Sequence, residues 1–397
     1  MKYVVFGLSI SSSWGNGHAT LWRALCAALV RRDHRVVFFE KDTPYYRKHR
    51  DVTELPGCRL VLYPDWADVR AAAAAELSDA DAAIVTSYCP DALAASELAY
   101  EARALSVFYD LDTGVTLERT AHGARVDYIG ERGLRDYDVV LSYTGGSALQ
   151  GLQQLLGARR VAPLYGSVDP AVHAPVPPVE RYRCDLSYLA THAADRHALV
   201  MELFIAPARA RPNARFILAG PLYPPDFPWQ PNLHYIEHVP PADHPVFYCS
   251  SRATLNLTRA AMARTGYCPS GRLFEAAAAG VPMLSDSWAG LEAFFTPGEE
   301  IIVVQRAEDV IDALERDDAE LERIAAAARA RALAEHTADR RAEQLEAILA
   351  EVAGSGAGAP TLVEVADVGH HTGSGSGKSH STAGVLEGIA AGRQSAR

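Results

Sequence analysis

The chain contains no apolar run near the ~20 residues that a helix needs to cross a bilayer, so no membrane span is expected. Excess positive charge is also missing. Among 397 residues, 38 Lys and Arg stand against 49 Asp and Glu, for a net charge of −11. Nucleic acids are held by clustered cations, so a broad nucleic-acid surface is not expected. Cysteine is sparse and scattered: Cys26, Cys58, Cys89, Cys184, Cys249 and Cys268 form no CxxC pair. That pattern argues against a zinc site and for a reducing compartment. The opening "MKYVVFGL" reads at once as a strand, leaving no room for a signal peptide, and a cytoplasmic location is the expectation. One local run departs from the acidic balance. Residues 31–50, "RRDHRVVFFEKDTPYYRKHR", mix cations with aromatic rings. They could touch an anionic membrane face weakly, or form an ordinary solvated helix and loop.

What is present is a repeated alternation. "YVVFG", "RVVFF", "RLVLY", "AAIVTS", "LSVFY" and "DVVLSY" are unbroken apolar runs of strand length. Helical patterns such as "ATLWRALCAALVRR" and "PDALAASELAYEAR" lie between several of them. Continuous apolar strands are covered on both faces, which implies a parallel sheet of βα units. A chain this long also exceeds one ordinary core. The fold class is therefore α/β, with two Rossmann-like doubly wound domains in series. The first spans residues 1–164. The stretch "PLYGSVDPAVHAPVPPV" carries five prolines, and 165–179 reads as a stiff interdomain linker. The pattern restarts over 180–316 with "DLSYLA", "RFILAG", "LHYIEH", "ATLNLT", "VPMLSD" and "EIIVV". Residues 317–352 follow a helical period, with Leu321, Ile324 and Ala328, then Leu345, Ile348, Leu349 and Val352. From 353 to 397 the chain turns to Gly, Ser, Ala and His, a low-complexity tail expected to be disordered. Its "GSGSGKS" imitates a phosphate loop, but Thr372 stands where the first glycine belongs.

Ligands of such sheets bind beyond the carboxyl ends of the strands, and three places pass that test. The first is "GLSISSSWGNGHATLWRAL", where a strand runs into a loop with Gly15, Gly17 and His18 and then a helix. Glycines let backbone N–H groups approach an anion at a helix start. The run is not GxGxxG, because Thr20 holds the third position, and a plain βα turn explains it equally. His18 adds a titratable group facing the cleft. The second is "VFYDLDTGV". Asp110 and Asp112 could hold a divalent metal, cap a turn, or orient and deprotonate an acceptor hydroxyl.

The third is "GRLFEAAAAGVPMLSD", preceded by Ser270 as a helix N-cap. Arg272 sits in the first turn, where the helix dipole disfavours a cation. That conflict is relieved if an anion binds there, while Glu275, one turn on, could accept from two adjacent ribose hydroxyls. The other reading is a surface Arg with a buried structural ion pair. Arg196 and Arg259 each follow a strand of the second half and point to the same cleft. The loop with Ala289 and Gly290 offers small residues against which a sugar could lie.

"YCPSGRLFEAAAAGVPMLSDSWAGLEAFFTPGEEIIVV" resembles the nucleotide-binding segment of GT-B glycosyltransferases. It is most similar to the spore-maturation CgeB-like branch, where a Ser-x-Arg-x-x-Glu helix precedes such a "PGEE" run. The resemblance runs over roughly residues 1–350 and includes the linker. It implies two domains facing across a cleft, a nucleotide-diphosphate sugar held mainly by the second, and an acceptor held mainly by the first. It further implies a last helix that crosses back to the first domain, and no need for a bound metal or other cofactor. Glu275 matches the family's ribose-holding glutamate, Arg196 a diphosphate-binding cation, and Gly15, Gly17 and His18 the first loop. Two departures stand out. Many relatives carry a second glutamate eight positions earlier, where this chain has Tyr267, and their first-domain histidine has no clear match, so Asp110 or Asp112 would stand in. The expected activity is sugar transfer from a nucleotide sugar to a glycan, protein or small-molecule acceptor. The alternatives are an epimerase of the same architecture, a non-catalytic nucleotide- or glycan-binding protein, and a manganese enzyme built on Asp110 and Asp112.

Overall fold

The computed structural model of the chain describes residues 1–355 and 361–362. The first domain is built on β1 (Lys2–Gly7), β2 (Arg35–Lys41), β3 (Cys58–Tyr63), β4 (Ala82–Thr86), β5 (Leu105–Asp110), β6 (Val139–Ser142) and β7 (Arg160–Pro163). The second is built on β8 (Cys184–Leu189), β9 (Phe216–Ala219), β10 (Leu233–Ile236), β11 (Ser251–Asn256), β12 (Met283–Ser285) and β13 (Ile302–Val303). All pairs within both sheets are parallel. The sheet orders are β7-β6-β5-β4-β1-β2-β3 and β10-β9-β8-β11-β12-β13. In each domain the order reverses beside the first strand, the doubly wound pattern in which a crevice opens at the switch.

The apolar runs are continuous because both faces are covered. In β1, Val4 and Phe6 enter one helical layer, while Tyr3 and Val5 enter the other. Parallel pairing sets Tyr3 against Val36 on one side and Ala82 on the other. The four-residue β7, just before the proline-rich stretch, is too short to stand out in the sequence.

Helix Ala338–Gly354 follows the second domain in sequence but packs in the first. Its Ala342, Leu345, Ile348 and Leu349 join Leu25, Ala28 and Leu29 of helix Gly17–Arg31 in one core. Ion pairs from Arg31 to Asp339 (3.1 Å) and from Arg32 to Glu346 (2.5 Å) flank that contact. The chain crosses between the domains twice, side by side. Val168 N–H donates to the His336 carbonyl (3.0 Å), and Ala338 N–H donates to the Val168 carbonyl (2.8 Å).

The basic run at 31–50 is largely neutralised. Besides Arg31 and Arg32, Lys41 pairs with Asp91, and Arg47 and Arg50 both pair with Asp42. A free cationic face for a membrane is thus not what this run forms. No helix of the described residues is long and apolar enough to cross a membrane. Within the 353–397 tail, Thr361–Leu362 form a short strand, β14, on the edge of β7. The phosphate-loop look-alike lies outside the described residues.

The turn after β5 divides the two aspartates, and it corrects the expectation for one of them. Asp110 is fully buried. Its Oδ1 accepts from Asp112 N–H and from the Thr116 hydroxyl, both at 3.1 Å, so it builds the turn and does not reach the cleft. The two carboxylates are therefore not presented together to a metal. Burial without full hydrogen bonding pushes Asp110 up to about 7.

Two predictions follow from these contacts. Ile348→Ala leaves a hole where the last helix meets the first domain, and should cost about 2–5 kcal/mol in denaturant unfolding. An acid held protonated in the fold, but not in the unfolded chain, loses stability as pH rises from 3.8 to about 7. Asp110→Asn removes that loss. Its unfolding free energy should vary less across this window than that of the wild type, by up to ~1.4 kcal/mol per pH unit. Equal slopes would refute the assignment.

Candidate functional site

The loops at the two switch points open onto one cavity of about 560 Å³, lined from both domains. The second-domain wall carries the charge. Arg196 ends the short turn after β8, and its Nη2 donates to the Thr191 carbonyl (2.5 Å). Arg272 opens helix Gly271–Ala278, donating through Nη1 to the Leu189 carbonyl (2.5 Å) and through Nε to Ser270 Oγ (3.0 Å). Among the described residues neither guanidinium has a carboxylate within ion-pair distance. Arg196 is only 8% exposed and its Nε has no partner. Burial lowers its pKa, and the nearby charge of Arg272 adds to the effect. A buried cation without a counter-ion is costly, and an anionic ligand would relieve it. Ser270 stands at the N-cap position, but its side chain accepts from Arg272 rather than from the backbone, so capping is not its role.

Glu275, one turn into the same helix, is buried yet lines the cavity. Burial raises its pKa, but His244 and His173 outweigh that and hold it at about 2. Its Oε2 accepts from the Tyr248 hydroxyl (3.3 Å) and faces His244 Nδ1 (3.2 Å); its Oε1 lies 3.9 Å from His173 Nε2. These three residues were not anticipated. Each is a single His or Tyr in its own segment, and only the fold converges them on Glu275.

On the first-domain wall, Asn16 caps helix Gly17–Arg31 by accepting from His18 N–H (3.1 Å) and ties the loop down by donating to the Ser9 and Ser12 carbonyls. Gly15 lines the cavity at φ +61°, a conformation that side chains disfavour. Glu40, at the end of β2, accepts from Ile10 N–H, Ser11 N–H and the hydroxyls of Ser9 and Ser11. It shapes the loop that the sequence singled out, and a carboxylate directly after the apolar run "VVFF" was the available signal. His18 and Asp112 both line the cavity. Burial pushes the His18 ring toward its neutral form, against the pull of Asp112. Asp112 Oδ2 accepts from the Tyr88 hydroxyl (3.0 Å).

Two expected donor-site residues are placed differently. Arg259 lines the cavity but already meets Asp195 (3.2 Å) and Asp112 (3.8 Å), so it bridges the walls rather than waiting for an anion. Gly290 does not line the cavity. It lies under the Tyr267 ring, where a Cβ would come within 2.6 Å, and its small size serves that packing.

Residues 196–347 match the family model described as glycosyl transferase-like. Among curated proteins no match is found. Solved structures share the architecture at low identity. Sucrose-phosphate synthase from Thermosynechococcus elongatus superposes with TM-score 0.64 at 14% identity, over 89% of this chain and 100% of that one. HepE from Anabaena, solved with UDP-glucose, gives 0.62 at 13%, over 88% and 100%. An α-glucosyltransferase solved with UDP-glucose and DNA containing an abasic site gives 0.68 at 12%, over 88% and 99%. The chain thus has the two-domain fold of the GT-B glycosyltransferases, and the segment that matches the glycosyl transferase-like model contains Arg196, Arg272 and Glu275.

Proposed function

We propose that this protein is a glycosyltransferase that moves a hexosyl group from a nucleotide-diphosphate sugar to an acceptor hydroxyl, without a catalytic metal. The observation that carries the reading is the pair Arg196 and Arg272, two guanidiniums without carboxylate partners among the described residues, on the cavity that Glu275 also lines. A diphosphate seated against them and against the N–H groups of the Gly271–Ala278 helix start would gain charge-assisted hydrogen bonds. Glu275, held anionic, would accept from the ribose hydroxyls. That HepE and the α-glucosyltransferase were solved with UDP-glucose supports a UDP-hexose as donor. The Ser270-x-Arg272-x-x-Glu275 helix supports a CgeB-like glycosyltransferase, and cysteines scattered without a CxxC pair support a reducing compartment such as the cytoplasm.

As the bond from sugar C1 to the diphosphate oxygen breaks, negative charge grows on the leaving group, and Arg196 and Arg272 stabilise it. The acceptor oxygen forms the new bond to C1 and gives up its proton. His18, kept toward its neutral form by burial, is suited to take it, and the Asp112 charge favours the imidazolium formed. Seating the donor between the two walls excludes the water that would otherwise hydrolyse it. The acceptor is a glycan, protein or small molecule rather than a nucleic acid, on the net charge of −11. One observation favours a second reading, nucleotide-sugar binding without turnover: Tyr267 stands where relatives carry a sugar-contacting glutamate.

A panel of nucleotides and nucleotide sugars, read by melting temperature, tests the donor site. UDP-glucose should raise the melting temperature by mass action. Arg272→Ala should weaken its binding by about ten- to a hundredfold, the value of a charge-assisted contact to an ionised group. If no nucleotide sugar stabilises the wild type, or Arg272→Ala binds equally well, the reading fails. His18→Ala separates the two enzyme roles. It should keep donor binding within about twofold while transfer falls about 10²–10⁴-fold. Unchanged transfer would remove His18 from the chemistry.

A further inference from the structure

His173, on the interdomain linker, is 6% exposed; the Asp169 backbone is its polar neighbour on one side, and among the described residues its Nε2 has no hydrogen-bond partner and faces Glu275 Oε1 at 3.9 Å. Buried polar groups are almost always satisfied, so such a ring calls for an explanation. His244 poses a related problem. Its Nε2 lies 3.2 Å from the Val239 carbonyl and its Nδ1 lies 3.2 Å from Glu275 Oε2. Both neighbours are acceptors, while a neutral imidazole has a single N–H. If Nε2–H donates to the carbonyl, the Nδ1 lone pair faces a carboxylate, and a positive charge must sit between them. A proton on Nδ1 would meet that need, but it would leave His173 unexplained. A metal ion would meet the need at the two nitrogens that face Glu275, His244 Nδ1 and His173 Nε2.

We propose that His173, His244 and Glu275 bind a divalent transition-metal ion of the zinc class, and that this ion regulates the site by competing with the donor's ribose for Glu275. One ligand atom from each residue lies within 4.8 Å of the others. Around a tetrahedral zinc with bonds of 2.0–2.2 Å, ligand atoms are about 3.4 Å apart. Glu275 Oε2 lies 3.2 Å from His244 Nδ1 and its Oε1 lies 3.9 Å from His173 Nε2, so the carboxylate offers one oxygen toward each imidazole at separations near that value. Two imidazoles and one carboxylate suit zinc and its neighbours rather than calcium or magnesium, which prefer an all-oxygen shell. The bond from His244 Nε2–H to the Val239 carbonyl is the kind of contact that orients a ligating imidazole. His244 and Glu275 both line the cavity, so a further coordination position faces it. With the ion bound, the linker is tied to the second domain through His173, and the Glu275 oxygens are taken from the ribose. The competition rests on the donor reading above; the ion site does not.

The full-length chain, stripped with a chelator and desalted, is titrated with Zn²⁺ by calorimetry and with Co²⁺ by absorbance. The wild type should bind one ion saturably, with the visible spectrum of a four-coordinate Co²⁺ centre. His173→Ala and the bulkier His173→Gln should each weaken Zn²⁺ at least tenfold while still unfolding in one cooperative transition. UDP-glucose binding, measured in chelator, is the reference for each protein, and saturating Zn²⁺ should weaken it at least tenfold in the wild type and less than twofold in the variants. Equal Zn²⁺ affinity in wild type and variants overturns the proposal, as does Zn²⁺ that leaves UDP-glucose affinity unchanged in the wild type. Failure to bind UDP-glucose in chelator instead refutes the donor reading, and the Zn²⁺ and Co²⁺ titrations still decide the ion site.

Discussion

A guanidinium is expensive to take out of water, and the second domain buries one beside another without a carboxylate for either among the described residues. Arg196 and Arg272 are held by carbonyl oxygens of the loop after β8, at Thr191 and Leu189, which hydrogen-bond a cation but do not neutralise it. The rings of Tyr188 and Tyr223 surround Arg196 and share its low-dielectric setting, and Arg272 lies over the Tyr188 ring. Such an arrangement persists only because the sheet and the Gly271–Ala278 helix determine it from both sides. The remainder of the site follows from it. Glu275 must stay anionic one turn away from a cationic helix start, and its histidine partners make that possible.

The first domain contributes position more than charge. Residues 260–268 belong to the second domain by sequence, yet they dock on the first. Gly145 N–H donates to the Tyr267 carbonyl (3.0 Å), Ser147 Oγ donates to the Thr265 carbonyl (3.2 Å), and Arg264 pairs with Glu118. Gly114 lies so close to the Ala261 backbone that a Cβ would come within 3.0 Å of its carbonyl. Together with the Arg259–Asp112 pair, these contacts fix the distance across the cavity. The Gly15–His18 loop, tied down by Glu40 and Asn16, then faces Arg272 across it. Rigid walls of this kind let a bound donor and acceptor meet without a search for geometry, which is where positioned catalysis gains most.

Much of this was legible in the chain. Unbroken apolar runs mark strands buried on two faces, and nothing but a parallel α/β sheet buries so many in series. Arg272 and Glu275 were legible for a different reason: each violates the rule of its own helix, and violations concentrate at sites. Residues that obey their local rules were invisible. His173 sits in an ordinary proline-rich linker and His244 at an ordinary helix start, and only the fold joins them to Glu275 from three distant segments. Asp110 and Asp112 could not be told apart by pattern, because which carboxylate turns inward depends on the Thr116 hydroxyl and the Asp112 amide. Gly290 misled for the converse reason. A small residue admits either a ligand or a neighbouring ring, and here the ring of Tyr267 takes the space.

Tyr267 also bears on the chemistry. It holds φ +47°, its N–H donates to the Ala289 carbonyl (2.7 Å), and its ring rests against Gly146 and Gly290. A side chain so engaged is committed to packing between the domains and does not line the cavity. Where the resemblance implies a glutamate that touches the sugar, this chain therefore has a tyrosine ring packed on Gly146 and Gly290. On the donor reading, the groups left near the sugar are those at the meeting of the two walls: Asp112, Tyr88, Arg259, Thr258 and His18. Asp112 is the carboxylate among them, and it is already shared between the Tyr88 hydroxyl and the Arg259 guanidinium. A charge held on both sides does not swing onto a substrate; it fixes a field. The mobile role at that junction then falls to His18, whose Nδ1 is buried without a partner and whose charge is set by burial against Asp112.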